Sequence, residues 1–162
     1  MNDLTLSGYI PGAIGRIAEL HATYYAAHWE FGMYFESKVA IELSEFLRRF
    51  NEDQDGFWVA SVGGKIVGSI TVDGIHRYSH GAHLRWFIMS PEVQGKGIGN
   101  VLLGEAVDFC RNKKFEKIYL WTFEGLEAAG HLYRKWGFNL LEQFEGEQWG
   151  KPVVEQRFEL SL

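Results

Sequence analysis

The segment Gln94-Gly95-Lys96-Gly97-Ile98-Gly99-Asn100 constrains this chain more than any other. It lies between a strand-like run at 82–89, ending at Ser90-Pro91, and a helical run marked by Ile98, Leu102, Ala106, Phe109 and Cys110. A strand that enters a helix through so many glycines turns tightly, and the free N–H groups of the new helix point at whatever anion arrives. A diphosphate suits such a turn, with Lys96 able to add a positive charge. Taken alone, the same glycines would equally serve a turn that only shortens the connection. Two familiar phosphate patterns fail. G-x-G-x-x-G meets Asn100 in one register and Leu102 in the other, and no Gly-Lys-Ser/Thr follows at P-loop spacing.

The rest of the chain divides on periodicity. Residues 4–10 predict a short first strand, closed by Pro11 and Gly12. Ile14, Ile17, Ala18, His21 and Tyr25 predict a helix over 13–28. A second helix fits 36–50, with Val39, Leu43, Phe46, Leu47 and Phe50 inward and Glu42, Glu45 and Arg49 outward. The aromatic stretch 29–35 connects the two. Runs at 57–62 and 65–73 alternate around Gly63-Gly64, a two-residue hairpin signal. The 118–123 run predicts a strand buried on both faces. Leu126, Ala129, Leu132, Tyr133 and Trp136 predict a helix stopped by Gly137, and strands at 138–144 and 153–160 finish the chain. The expected class is α/β (α+β), with a crossover after the long middle strand.

A length of 162 residues predicts one domain over 1–162, large enough to fold without disulfides or metal. The net charge of −5 argues against nucleic acid as the main partner; Arg48-Arg49 and Lys113-Lys114 have the look of solvated helix ends. Cys110 is the one cysteine, which suits a reducing cytoplasm. MNDLTLSGYIPG has no signal-peptide pattern, and no apolar run is long enough to span a membrane, so a cytoplasmic protein is expected. His76, His80 and His83 stand at spacings of four and three, but no cysteine joins them and the expectation is no metal. Glycine (19 residues) and the 12 Phe, 7 Tyr and 6 Trp are in excess and raise the question of a site.

Gln94-x-x-Gly97-x-Gly99, after a strand ending in Ser-Pro-Glu, resembles the coenzyme motif of the GNAT superfamily of N-acetyltransferases. LEAAGHLYRKWGF at 126–138 is similar to that family's helix ending in Ala-x-x-Leu-Tyr-x-x-x-Gly-Phe. The hairpin FWVASVGGKIVGSITV resembles its central strands. HLRWFIMSPEVQGKGIG and YLWTFEGLEAAGHLYRKWGF look like the acetyltransferase half of bacterial fusions with MarR-type regulators; this chain would be a free-standing relative. The resemblance implies a mixed, mostly antiparallel sheet of six to seven strands flanked by about four helices. A splayed middle pair of strands would hold acetyl-CoA, the cosubstrate, with no metal.

The implied reaction is direct acetyl transfer to an amine on a small molecule or a protein. In that reading the N–H groups from Gly95 to Asn100 (Gly95, Lys96, Gly97, Ile98, Gly99 and Asn100, with Gln94) meet the diphosphate. The pantetheine arm pairs along Phe87, Ile88 and Met89, and a backbone N–H at the strand end stabilises the thioester oxygen. Tyr133 matches the family's general acid. Many members carry a carboxylate base where His83 stands here. Others have a Glu where this chain has Trp121, or an Asn where it has Leu126. Glu30, Glu36 and Glu124 are alternatives, and water needs no single base. Trp29, Glu30, Phe31, Tyr34, Phe35 and Trp121 are expected around the acceptor. The 29–35 stretch could equally be a hydrophobic staple between helices. The alternative function is a non-catalytic acyl-CoA sensor or interaction module of the same fold, and a homodimer is compatible with either.

Overall fold

Strand formation starts from the Gly63-Gly64 hairpin. Both glycines have positive φ, 59° and 79°, the geometry that matches the twist of the strands on either side. In the computed structural model, which describes residues 3–162, this hairpin joins β2 (Gly56–Val62) and β3 (Lys65–Asp73). β1 (Leu4–Ser7) flanks β2, and β4 (Ala82–Met89) flanks β3, all antiparallel. β5 (Lys117–Phe123), β7 (Val153–Ser161) and β6 (Asn139–Gly146) complete a seven-stranded sheet of order β1-β2-β3-β4-β5-β7-β6.

Four helices cover the sheet: α1 (Ala13–Trp29), α2 (Met33–Arg48), α3 (Ile98–Asn112) and α4 (Glu127–Lys135). Leu102, Leu103, Ala106, Val107 and Cys110 of α3 are fully buried against β3, β4 and β5 side chains such as Ile70, Leu84 and Ile118. Each buried Leu contributes roughly 2 kcal/mol of transfer free energy. On the other face Ile17 and Leu20 of α1 and Leu43 and Phe46 of α2 pack with Phe57, Val59, Ile66 and Ile88.

The β4–β5 pair decides where a ligand can go. It is parallel, joined by the α3 crossover, and its register covers only Ala82 with Ile118 and His83 with Tyr119. Beyond His83 the strands part, so the β5-facing backbone of Leu84–Met89 has no ladder partner. β4 also bulges. Thr71 faces Arg85 and Ser69 faces Ile88, so two residues, Trp86 and Phe87, stand opposite Ile70 alone. Trp86 takes φ 47°, unusual for a bulky residue, and its carbonyl accepts a hydrogen bond from Ser69 Oγ at 2.7 Å.

Three sequence expectations need correction. β1 stops at Ser7 instead of reaching residue 10. The first two helices are joined by Glu30-Phe31-Gly32 alone, because Glu30 ends α1 in the left-handed region and α2 begins at Met33 rather than 36. Phe50 lies beyond the end of α2 and is exposed, while Glu42 and Arg49, expected in solvent, are engaged in ion pairs.

Candidate active site

Gly95 and Gly97 sit at φ 80° and 83°, and a Cβ at either would meet nothing within 4 Å. Their role is therefore conformational and leaves the turn open to a ligand. Gly97 begins α3 with no side-chain cap and no acidic residue in the first turn. The Ile98, Gly99 and Asn100 N–H groups are therefore left for an outside acceptor. Gly99 has a different reason: a Cβ there would lie 2.8 Å from Met89 Cε. Gln94 Nε2 reaches the Met89 carbonyl at 3.5 Å, and Asn100 Oδ1 accepts from Trp136 Nε1 at 2.9 Å.

From this turn a groove of about 430 Å³ runs into the β4–β5 opening. Phe87, Ile88 and Met89 form one wall, Gln94, Gly95, Gly97, Ile98 and Gly99 the end at the glycine turn, and Leu126, Ala129 and Leu132 the opposite wall. Trp29 closes it from α1 by lying over Gly125, whose Cβ position would come within 2.3 Å of the indole. Lys96 is exposed at the turn, and its side chain is not part of the wall; nor is that of Asn100.

A second cavity, about 170 Å³, lies beside the groove on the α1–α2 side. Tyr25, Phe87, Leu126 and Ala129 line both, so the two spaces adjoin at them. Tyr133 is buried beside this junction, packed on Phe87, Phe138 and Phe158 with centroids 5.7–6.2 Å apart. Burial pushes its phenol above the ordinary tyrosine range. Tyr25 is pushed the same way, first by burial and then by the nearby Tyr133 phenol. Trp86, Trp121, Phe123 and Trp149 add aromatic wall.

His83 lines the closed end, where β4 and β5 are still hydrogen-bonded, and its ring stacks on Tyr119 at 4.6 Å and 14°. Burial and then the Arg85 guanidinium lower its pKa to about 3, so it is neutral near pH 7. An ion-pair chain begins on the cavity wall with Lys38, Glu42 and Arg85 and continues away from it. Glu42 bridges Lys38 at 2.5 Å and Arg85 at 2.6 Å; Asp73 binds Arg85 at 3.1 Å and Arg49 at 2.7 Å. Arg85 also lies 4.1 Å over the Trp86 ring.

The 29–35 residues divide. Trp29 reaches the groove and Phe35 the second cavity. Phe31 is in the core with Tyr25, Phe35 and Phe123 and acts as the staple between the helices. Glu30 lines a separate cavity with Glu124 and Lys151, and Tyr34 is exposed against Gly150. Glu36 is exposed and on none of these walls. Among the described residues, no group of three or more His, Cys, Asp or Glu side chains is placed to hold a metal ion, and no helix is long and apolar enough to cross a membrane.

The sequence model of the Acetyltransferase (GNAT) family matches residues 15–138, which include the glycine turn, the splayed strands and Tyr133. The chain belongs to the GNAT acetyltransferase family. An acetyltransferase of Pectobacterium atrosepticum is 32% identical over 115 residues, covering 68% of this chain and 74% of that protein. An uncharacterized N-acetyltransferase of Methanocaldococcus jannaschii is 27% identical over 128 residues, 76% of this chain. The chain spans 56% of that relative's length. Two solved structures establish the same fold. One is yncA of Salmonella typhimurium with its cofactor acetyl-CoA, with TM-score 0.78 and 17% identity, covering 99% of this chain and 95% of that one. The other is a phosphinothricin acetyltransferase of Sinorhizobium meliloti in complex with AcCoA, with TM-score 0.74 and 20% identity, covering 99% and 89%.

The sequence did not point to several residues that line the two cavities. Tyr25, at the junction, showed only as one member of a helical stripe. His21, Lys38, Glu42, Arg85, Gln148 and Trp149 reach the second cavity from α1, α2, β4 and the β6–β7 loop. Spacing along one element carries no sign of such a meeting.

Proposed function

We propose that this protein transfers an acetyl group from acetyl-CoA directly to an amine. The observation that carries the reading is a groove that runs from an uncapped, glycine-built helix start between splayed strands and adjoins an aromatic cavity lined by Tyr133. The groove fits the donor's chemistry. The N–H groups at the start of α3 suit a diphosphate. The unpaired β4 backbone at Phe87, Ile88 and Met89 suits an amide-bearing arm that adds like a strand. A free N–H there also suits the charge that grows on a thioester oxygen under attack. The same chemistry is in keeping with the acetyl-CoA of the two solved relatives.

Tyr133 then acts as the acid. Its raised pKa keeps it protonated in the free protein. It gives that proton to the departing thiolate beside Phe87 and Ala129. The strongly basic phenolate left behind regains one from the acetylated nitrogen, which carries an extra proton after attack. The amine's own proton leaves differently. His83 is too weak a base at a pKa of about 3, and both carboxylate oxygens of Glu42 are engaged. The amine therefore enters deprotonated, having lost its proton to water. Trp121 is part of the acceptor wall, and Trp29 helps close the donor groove. The likeness to the acetyltransferase half of MarR-type fusions belongs with this reading, as do a cytoplasmic location and a homodimer. For the last, the outer edge of β6 with exposed Leu140, Leu141 and Phe144 is the natural surface.

Calorimetric titration with CoA, followed by thiol release from acetyl-CoA over a panel of primary amines, tests the reading. Binding and amine-dependent release are expected. Binding without release on any amine is the behaviour of a sensor, and absence of binding removes the reading altogether.

A further inference from the structure

A buried imidazole on the proposed acceptor cavity takes no part in the proton transfers. His21 is 7% exposed on α1 and lines that cavity. Its Nδ1 lies 2.8 Å from the Ile17 carbonyl oxygen, which can only accept, so Nδ1 carries the proton. The lone pair is thereby fixed on Nε2, across the ring, and Nε2 has no hydrogen-bond partner among the described residues. Tyr25 and Phe35 hold the ring at centroid distances of 6.4 and 6.5 Å. His21 is also one helical turn, about 6 Å, from Tyr25, which lines both cavities where they meet. His83 is four strand residues, about 13 Å, from Phe87 at that same junction, with no hydrogen bond fixing its tautomer.

We propose that His21 positions the acceptor, its Nε2 lone pair accepting one N–H of the neutral amine so that the nitrogen's own lone pair faces the thioester. This rests on the acetyltransferase reading. A neutral amine has two N–H groups and one lone pair; an acceptor on the cavity wall orients it without consuming its nucleophilicity. A buried imidazole with a fixed tautomer offers one such acceptor and no competing donor.

The test uses the full chain and the member of a panel (phenethylamine, spermidine, lysine and an alanine-terminated tripeptide) that releases most thiol. His21→Phe keeps the ring and removes the lone pair; His21→Gln restores an acceptor near the Nε2 position. The expected result is a fall of about tenfold in kcat/KM for the amine in His21→Phe, with CoA affinity unchanged. His21→Gln is expected within about threefold of the parent. Thermal unfolding of both variants separates a folding defect, which would lower CoA affinity as well, from a positioning defect. Full amine kcat/KM in His21→Phe overturns the inference while leaving the transfer reading intact. A parent chain that binds no CoA, or releases no thiol on any amine, overturns the reading and this inference with it.

Discussion

In the proposed reaction, Tyr133 and the two buried histidines have distinct parts at the level of single residues. Tyr133→Phe removes only a hydroxyl, so the wall of Phe87, Phe138 and Phe158 keeps its packing. Its kcat is expected to fall roughly a hundredfold or more while CoA affinity is unchanged, measured by thiol release and calorimetry. Equal rates for the two proteins would take the acid role from Tyr133 and leave Tyr25 to be tested. The histidines predict the shape of the pH profile. His21 is lowered to about 4 by burial, partly offset by its bond to Ile17, and His83 to about 3, so both are neutral above pH 5. The acid limb of kcat/KM should therefore follow the pKa of the amine and shift when the amine is changed. A limb fixed near pH 6.5 for every amine would mean that a histidine of ordinary basicity takes the proton.

At the level of elements, glycines and ion pairs fix how strands and helices meet. Gly97→Ala places a Cβ in open space but at φ 83°, so its cost is conformational, about 1–2 kcal/mol. Loss of Tm is expected together with CoA affinity at least tenfold weaker, because the same backbone turn aims the α3 N–H groups. Asp73 is 2% exposed and ties Arg49 at the end of α2 to Arg85 on β4. Asp73→Ala leaves two cations facing each other and is expected to cost roughly 3 kcal/mol, read from denaturant unfolding. Element order and most boundaries were legible in the sequence, since β3, β4 and the α3 start are set by alternation and by glycines acting locally. The Glu42–Arg85–Asp73–Arg49 chain was not. Its members are up to 43 residues apart, and Glu42 and Arg49 have the spacing of a solvated face. The glycine turn was legible for the same local reason, whereas the second cavity draws on α1, α2, β4, β5, α4 and the β6–β7 loop and has no signature along any of them.

For the whole molecule, the splayed sheet sets stability and function together. Two histidines held neutral by burial bind protons more readily in the unfolded chain than in the folded one. Between about pH 4 and 6.5 the unfolded state holds more protons, so stability rises with pH and levels off above about pH 6.5. Each contributes at most about 1.4 kcal/mol per pH unit across that window. Tm should be clearly lower at pH 5 than at pH 7, and less so in His21→Phe; an unchanged Tm would show that the two rings are solvated in the folded chain. The overall charge of −5 does not describe the second cavity, where Lys38 and Arg85 stand against Glu42. The central claim is that the groove and the adjoining cavity bring donor and acceptor together for direct transfer. It is tested most directly by following isotopically labelled acetyl from acetyl-CoA in the presence of the amine panel. The label is expected on an amine, at a rate that depends on which amine is present, with none carried covalently by the protein. Label that stays in acetyl-CoA across the whole panel, or that accumulates first on the protein, would contradict the account.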